Sequence, residues 1–187
     1  MSFNAGRSTD RITWSRHREQ PVIHQALQIV AVTARPAAPN RALWHGPWGT
    51  LLLVGSADLL VMARFQGPCP ADGPAAPPDG LPAPWGLRST LRLALVGTEF
   101  QLAVWRSLAR IAPGECVSYS DLAEAVGRPR AVRAVASAVA ANPLPVLLPC
   151  HRVIRRDGRH GDYIGGALRK RRLIHWETDH GSHPTCF

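Results

Sequence analysis

The stretch QGPCPADGPAAPPDGLPAP, residues 66–84, divides this chain. Each proline removes a backbone donor and fixes φ, so neither a helix nor a central strand runs through it, and it is a loop or linker. The pattern differs on its two sides. Before it, GTLLLVGSADLLVMARF (49–65) holds two apolar runs around a Gly-Ser-Ala-Asp turn signal, the mark of a β-hairpin. Residues 1–44 are basic and irregular, with RPAAPN near their end, and read as an N-terminal extension of unset order. Within them VIHQALQIVAVTA (22–34) is like a signal-peptide core, but His24, Gln25 and Gln28 interrupt it, and a cytoplasmic protein is expected, nucleoid-associated if bacterial.

After the loop the periodicity becomes helical. TEFQLAVWRSLARI opens with Thr98 and Gln101 at capping-box spacing, and Phe100, Val104 and Leu108 recur as one apolar stripe. Ser118 and Asp121 repeat the box ahead of LAEAV, which stops at Gly127. Pro129 suits the first turn of a following helix, RAVRAVASAVAA, so a helix-turn-helix is expected. Val132, Val135 and Val139 share its core face. Arg133, Ser137 and Ala141, adjoined by Ala134 and Ala138, form a face that is small apart from the arginine. Such a face packs closely against another helix, or enters a DNA minor groove with Arg133 in the space of an extruded base. PLPVLLP then reads as an extended, proline-pinned support for Cys150, and a last helix at about 166–177 carries RKRR, Leu173, Ile174 and Trp176.

Charge narrows the partner. There are 22 Lys+Arg against 13 Asp+Glu, a formal net charge of +9. Eleven of those 22 lie between Arg128 and Arg172, opposed only by Asp157 and Asp162, and Lys170 is the one lysine. This favours an anionic partner, nucleic acid first. No apolar run reaches membrane-spanning length, so no membrane partner is expected. Cys69, Cys116, Cys150 and Cys186 are scattered without metal-ligand spacing, so neither a metal nor a disulfide framework is expected. Cys150 differs because His151 follows it; a thiol beside an imidazole can become a nucleophilic thiolate, although buried structural cysteines are also common.

Four segments, GTEFQLAVWRSL (97–108), SYSDLAEAVGRPRAVRAV (118–135), ANPLPVLLPCHRV (141–153) and PCHRVI (149–154), closely resemble the O6-alkylguanine-DNA alkyltransferases. The likeness covers about 45–177 and is most specific over 97–177. It implies an α+β fold: a small N-terminal α/β domain with a hairpin or sheet (45–90) and a mainly helical DNA-binding domain (91–180). It implies Cys150 as alkyl acceptor, His151 deprotonating it through a water, and Glu177 orienting His151. Tyr119 would lie beside the target base, Arg133 would replace the flipped nucleotide, and Asn142 would brace the turn before the active cysteine. On DNA it implies Arg133, Ala134, Ser137, Ala138 and Ala141, with Arg130 and Arg152. For the pocket it implies the Cys150 and Val153 carbonyls, Tyr163, Gly165 and the backbone N–H of Ile164, where the family commonly has serine.

The chemistry fits these residue types. An alkyl group on an aromatic lactim ether is a poor electrophile and needs a soft, strong nucleophile, which a thiolate is. Guanine O6 lies inside the stack, so the base must flip out. The thioether product is not hydrolysed under mild conditions. The protein is therefore expected to act once, as a monomer on double-stranded DNA carrying O6-alkylguanine, with no cofactor. Two rivals stand beside this reading. An alkyl-lesion-sensing DNA binder without efficient transfer is disfavoured by the presence of Cys150, and a Cys-His hydrolase would have no use for Arg133 on a slim helix.

Overall fold

The structure, a computed structural model, describes residues 10–12, 26–70, 82 and 90–180. Six strands, β1 (Asp10–Ile12), β2 (Ala26–Ala31), β3 (Asn40–Gly46), β4 (Gly49–Gly55), β5 (Leu60–Gln66) and β6 (Thr90–Leu95), form one sheet in the order β1-β2-β6-β5-β4-β3. The hairpin read at 49–65 is the antiparallel β4–β5 pair, and β3 adds to it antiparallel. β2 pairs in parallel with β6, setting Leu27 opposite Leu91 and Ile29 opposite Leu93. All four are buried, as period-two alternation on one covered face requires.

Residues 26–31 and 40–46 are therefore strands, where the basic composition of 1–44 suggested an irregular extension. The partner of β2 lies beyond the Pro/Gly-rich loop, too far along the chain for local pattern to reveal. Among the described residues the N-terminal half carries strands and no helix. The chain as a whole is α+β.

The helical half contains α1 (Glu99–Leu108), β7 (Val117–Ser118), α2 (Tyr119–Ala125), α3 (Val132–Ala140), β8 (Val153–Ile154) and α4 (Ala167–His180). Both capping boxes form: Thr98 with Gln101 starts α1, and Ser118 with Asp121 starts α2. Each cap satisfies amide groups that a helix start leaves open, contributing about 1 kcal/mol. Gly127, at φ 69°, ends α2. There Arg128 N–H donates to Ala123 O (2.8 Å) and Gly127 N–H to Glu124 O (2.9 Å). This pairing needs a left-handed residue, hence glycine. Pro129 is not in the first turn of α3. It lies in the turn before it, closed by Ala131 N–H donating to Arg128 O, and α3 begins only at Val132.

PLPVLLP is not extended. Residues 144–148 fold back, with Leu148 N–H donating to Leu144 O (2.8 Å) and Val146 at φ 74°. The β5 strand supports this turn, because Ala63 N–H donates to Pro143 O at 2.9 Å. One core then runs from the sheet (Leu27, Trp44, Leu51) through α1 and α3 (Trp105, Val135) to Leu148 and Cys150. Cys69 and Cys150 are free thiols, while Cys116 is disulfide-bonded, against the expectation of unpaired cysteines.

Candidate active site

A cavity of about 550 Å3 opens between α3 and the loop before α4. Cys150 lines it together with Tyr119, Arg133, Arg155, Tyr163 and Ile164. Cys150 begins a single 3-10 turn, Cys150–Arg152, that leads into β8, and β8 pairs in parallel with β7 directly before Tyr119. This small sheet brings Tyr119 and the thiol to one place from 31 residues apart in the chain.

The thiol is buried, and burial pushes it up to about 11. Three groups oppose that. Asn142 Nδ2 donates to Sγ at 3.1 Å, the Lys170 ammonium faces it, and the buried Tyr163 hydroxyl sits beside it with no well-formed hydrogen bond of its own. Asn142 also donates to Leu148 O (2.7 Å) and accepts from Leu144 N–H (2.9 Å), so one amide ties both sides of the 143–148 turn to the sulfur.

Behind the thiol lies a buried ionic cluster. His151 Nε2 is 2.9 Å from Glu177 Oε1. Arg152 grips the same carboxylate with Nε to Oε2 (2.8 Å) and Nη2 to Oε1 (2.7 Å), and Nη1 donates to Ile111 O. The carboxyl loses solvation on burial, yet Arg152 and His151 outweigh that and hold it well below the usual range. Burial lowers His151, although Glu177 pulls the other way, so the ring is neutral near pH 7. With Nε2–H donated to Glu177, Nδ1 is the acceptor; it is buried and has no partner.

Residues 99–179 match the family model described as "6-O-methylguanine DNA methyltransferase, DNA binding domain". That segment is similar to the DNA-binding domain of the 6-O-methylguanine DNA methyltransferase family. Ada of Escherichia coli K12, named a bifunctional transcriptional activator/DNA repair enzyme, is 52% identical over 90 residues, 48% of this chain and 25% of that protein. The inducible methylated-DNA–protein-cysteine methyltransferase of Bacillus subtilis 168 is 46% identical over 88 residues, 47% of this chain and 49% of that one. The chain thus spans between a quarter and about half the length of these curated relatives. Among solved structures, Mycobacterium tuberculosis OGT in complex with DNA superposes with a TM-score of 0.57 at 27% identity, covering 76% of this chain and 96% of that chain. The O6-methylguanine methyltransferase of the same organism gives 0.59 at 28% identity, covering 75% and 93%.

Within the matched segment, Asn142 bonds to Cys150 and His151 to Glu177, two pairs set side by side by the neighbouring positions 150 and 151, and Tyr119, Tyr163 and Ile164 line the cavity with Cys150. Arg133, Ala134 and Ser137 are exposed on α3, Ala141 is exposed at its C-terminal cap, and Arg130 is exposed in the turn before it. Four expected placements differ. Ala138 is buried and its carbonyl accepts from Trp105 Nε1 at 2.8 Å, so it faces the core. Arg152 is buried on Glu177, so it is no DNA contact. Val153 is fully buried outside the cavity wall, and its carbonyl accepts from Lys170 Nζ at 2.6 Å. Gly165 also lies outside the wall, with its carbonyl bound by Arg169.

Lys170 is the residue that sequence reading missed. Its ammonium is fully buried, donating to Val153 O and His160 O, and burial pushes it down to about 8. Its spacing was a usable signal. Lys170, Leu173, Ile174 and Glu177 fall at i, i+3, i+4 and i+7, one helix face, and that face is buried.

Proposed function

We propose that this protein repairs alkylated DNA by moving the alkyl group from O6 of guanine onto its own Cys150, once per molecule. The observation that carries this reading is a free, buried thiol lining a cavity whose rim bears Arg133 on an exposed, small-residue helix face. In this reading α3 enters the minor groove, Arg133 takes the place of the extruded nucleotide, and the flipped guanine enters the cavity. The Cys150 proton passes through a water to His151 Nδ1, while Glu177 holds Nε2. Sulfur attacks the alkyl carbon; the C–S bond forms as the C–O6 bond breaks, and the electron pair goes to the purine. Tyr119, a neutral phenol raised by burial, supplies a proton to the leaving base, and the thiol proton restores Tyr119. The net change is thiol plus alkylguanine to thioether plus guanine. Neither metal nor organic cofactor takes part, and the protein acts as a monomer.

Intact-mass measurement after incubation with a duplex holding one O6-methylguanine tests this. One methyl per chain, mapped to Cys150 and absent in Cys150→Ser, is the expected result. Tight binding to the lesion with no mass gain would favour the lesion-sensing alternative.

A further inference from the structure

The lip of the cavity, residues 163–165, is held from behind by the N-terminal sheet. Phe65, near the end of β5, packs on Tyr163 with ring centroids 5.9 Å apart and planes tilted by 59°. Tyr163 meets His151 edge-on at 6.4 Å and lines the cavity with Cys150. The Arg169 guanidinium lies 4.4 Å from the Phe65 centroid. It also donates to Trp48 O (2.7 Å) and Gly67 O (3.1 Å) on the sheet side, and to Gly165 O (2.8 Å) on the lip. There is no slack between them: a Cβ on Gly165 would lie 2.7 Å from both Phe65 and Arg169. Gly165 is thus glycine for packing, although it stands outside the cavity wall.

The buried Tyr163 hydroxyl sits beside the Cys150 thiol without a well-formed hydrogen bond, so that contact holds the ring only weakly. Its pose rests chiefly on packing, with Phe65 on one side and His151 on the other. We infer that Phe65, outside the matched segment 99–179, is a positioning residue for the transfer, setting the pose of Tyr163 and with it which alkyl groups fit above Cys150. This rests on the function proposed above and extends it to substrate selection. Truncating Phe65 opens space beside Tyr163, and the ring relaxes away from the sulfur. A small methyl group then loses its alignment, while a bulky benzyl group gains room.

The single-turnover chemistry makes the test clean, because the labelling endpoint counts competent protein while the rate constant reports the site. For Phe65→Ala, methyl transfer from duplex should slow by roughly tenfold or more, as displacement of reacting groups by about an ångström can do. Transfer from free O6-benzylguanine should slow far less, so the benzyl-to-methyl rate ratio should rise severalfold, and Phe65→Tyr should restore it. If Phe65→Ala gives no competent protein, Phe65→Leu carries the same comparison. A lowered endpoint with an unchanged ratio would overturn the inference and leave Phe65 as a fold residue. Absence of labelling in the wild type would instead refute the function on which it rests.

Discussion

Replacing Glu177 with glutamine should do two separable things. Glu177 is buried, and it accepts two hydrogen bonds from Arg152 at 2.8 and 2.7 Å and faces His151 at 2.9 Å. Without the carboxylate charge, Arg152 remains buried and uncompensated, which costs about 3–5 kcal/mol. For a chain of this size each kcal/mol moves Tm by about 2–4 °C, so thermal unfolding should fall by roughly 6–20 °C. Arg152→Met alone should be similarly costly, because it strands the carboxylate and the Ile111 carbonyl. The double variant removes both charges, and its loss should be smaller than the sum of the single losses by about 1–3 kcal/mol. Transfer should stay slow in the double variant, since His151 has still lost the acceptor that fixes Nδ1 as its basic atom. The sign with pH follows from the depressed carboxyl. Its stabilisation is complete above the ordinary value of 4.5 and is lost as pH falls through the lower folded value. Glu177→Gln should therefore flatten the acid limb of the stability curve. Urea titrations of the four proteins from pH 3 to 8 measure all of this. Additivity within about 0.5 kcal/mol would refute the buried pair as the energetic unit.

Other outcomes are as direct. Because burial holds the free thiol up at about 11, alkylation of Cys150 by iodoacetamide should quicken by nearly tenfold per pH unit between 7 and 10; a plateau near 8 would mean a preformed thiolate. Arg133→Ala should cost duplex repair roughly tenfold to a hundredfold while sparing transfer from free benzylguanine, because only the duplex requires extrusion. Equal losses on both would assign Arg133 to the fold. Ala138→Leu should destabilise by about 1–3 kcal/mol through overpacking, whereas exposed Ala134→Leu should leave Tm unchanged and block only duplex repair.

What could be read from sequence was local chemistry. Thr98 with Gln101 and Ser118 with Asp121 were legible because a cap joins a side chain to a backbone three residues away. Cys150 and His151 were legible as neighbours, and Glu177 through resemblance. Placement around α3 was harder, because alanine suits a core face and an exposed face equally. Ala134 and Ala138 could not be told apart until Trp105 took the carbonyl of Ala138. Arg152 was read as a DNA contact and Lys170 only as part of a basic run because their partners are remote: Glu177 lies 25 residues from Arg152, and the Val153 carbonyl 17 from Lys170. The parallel pairing of β2 with β6 was hidden for the same reason, and so was the reach of Phe65 to Tyr163.

The Trp105–Ala138 bond has a mechanical consequence. It fastens α3 from its inner side, in the last turn of the helix, to a buried ring of α1. A helix fastened in this way has little compliance. If α3 docks on a duplex, the bending and unstacking fall on the nucleic acid. The elasticity of each DNA sequence would then enter the repair rate, and sites flanked by soft pyrimidine–purine steps should be repaired sooner than the same lesion in a stiff A-tract, without any side chain reading a neighbouring base.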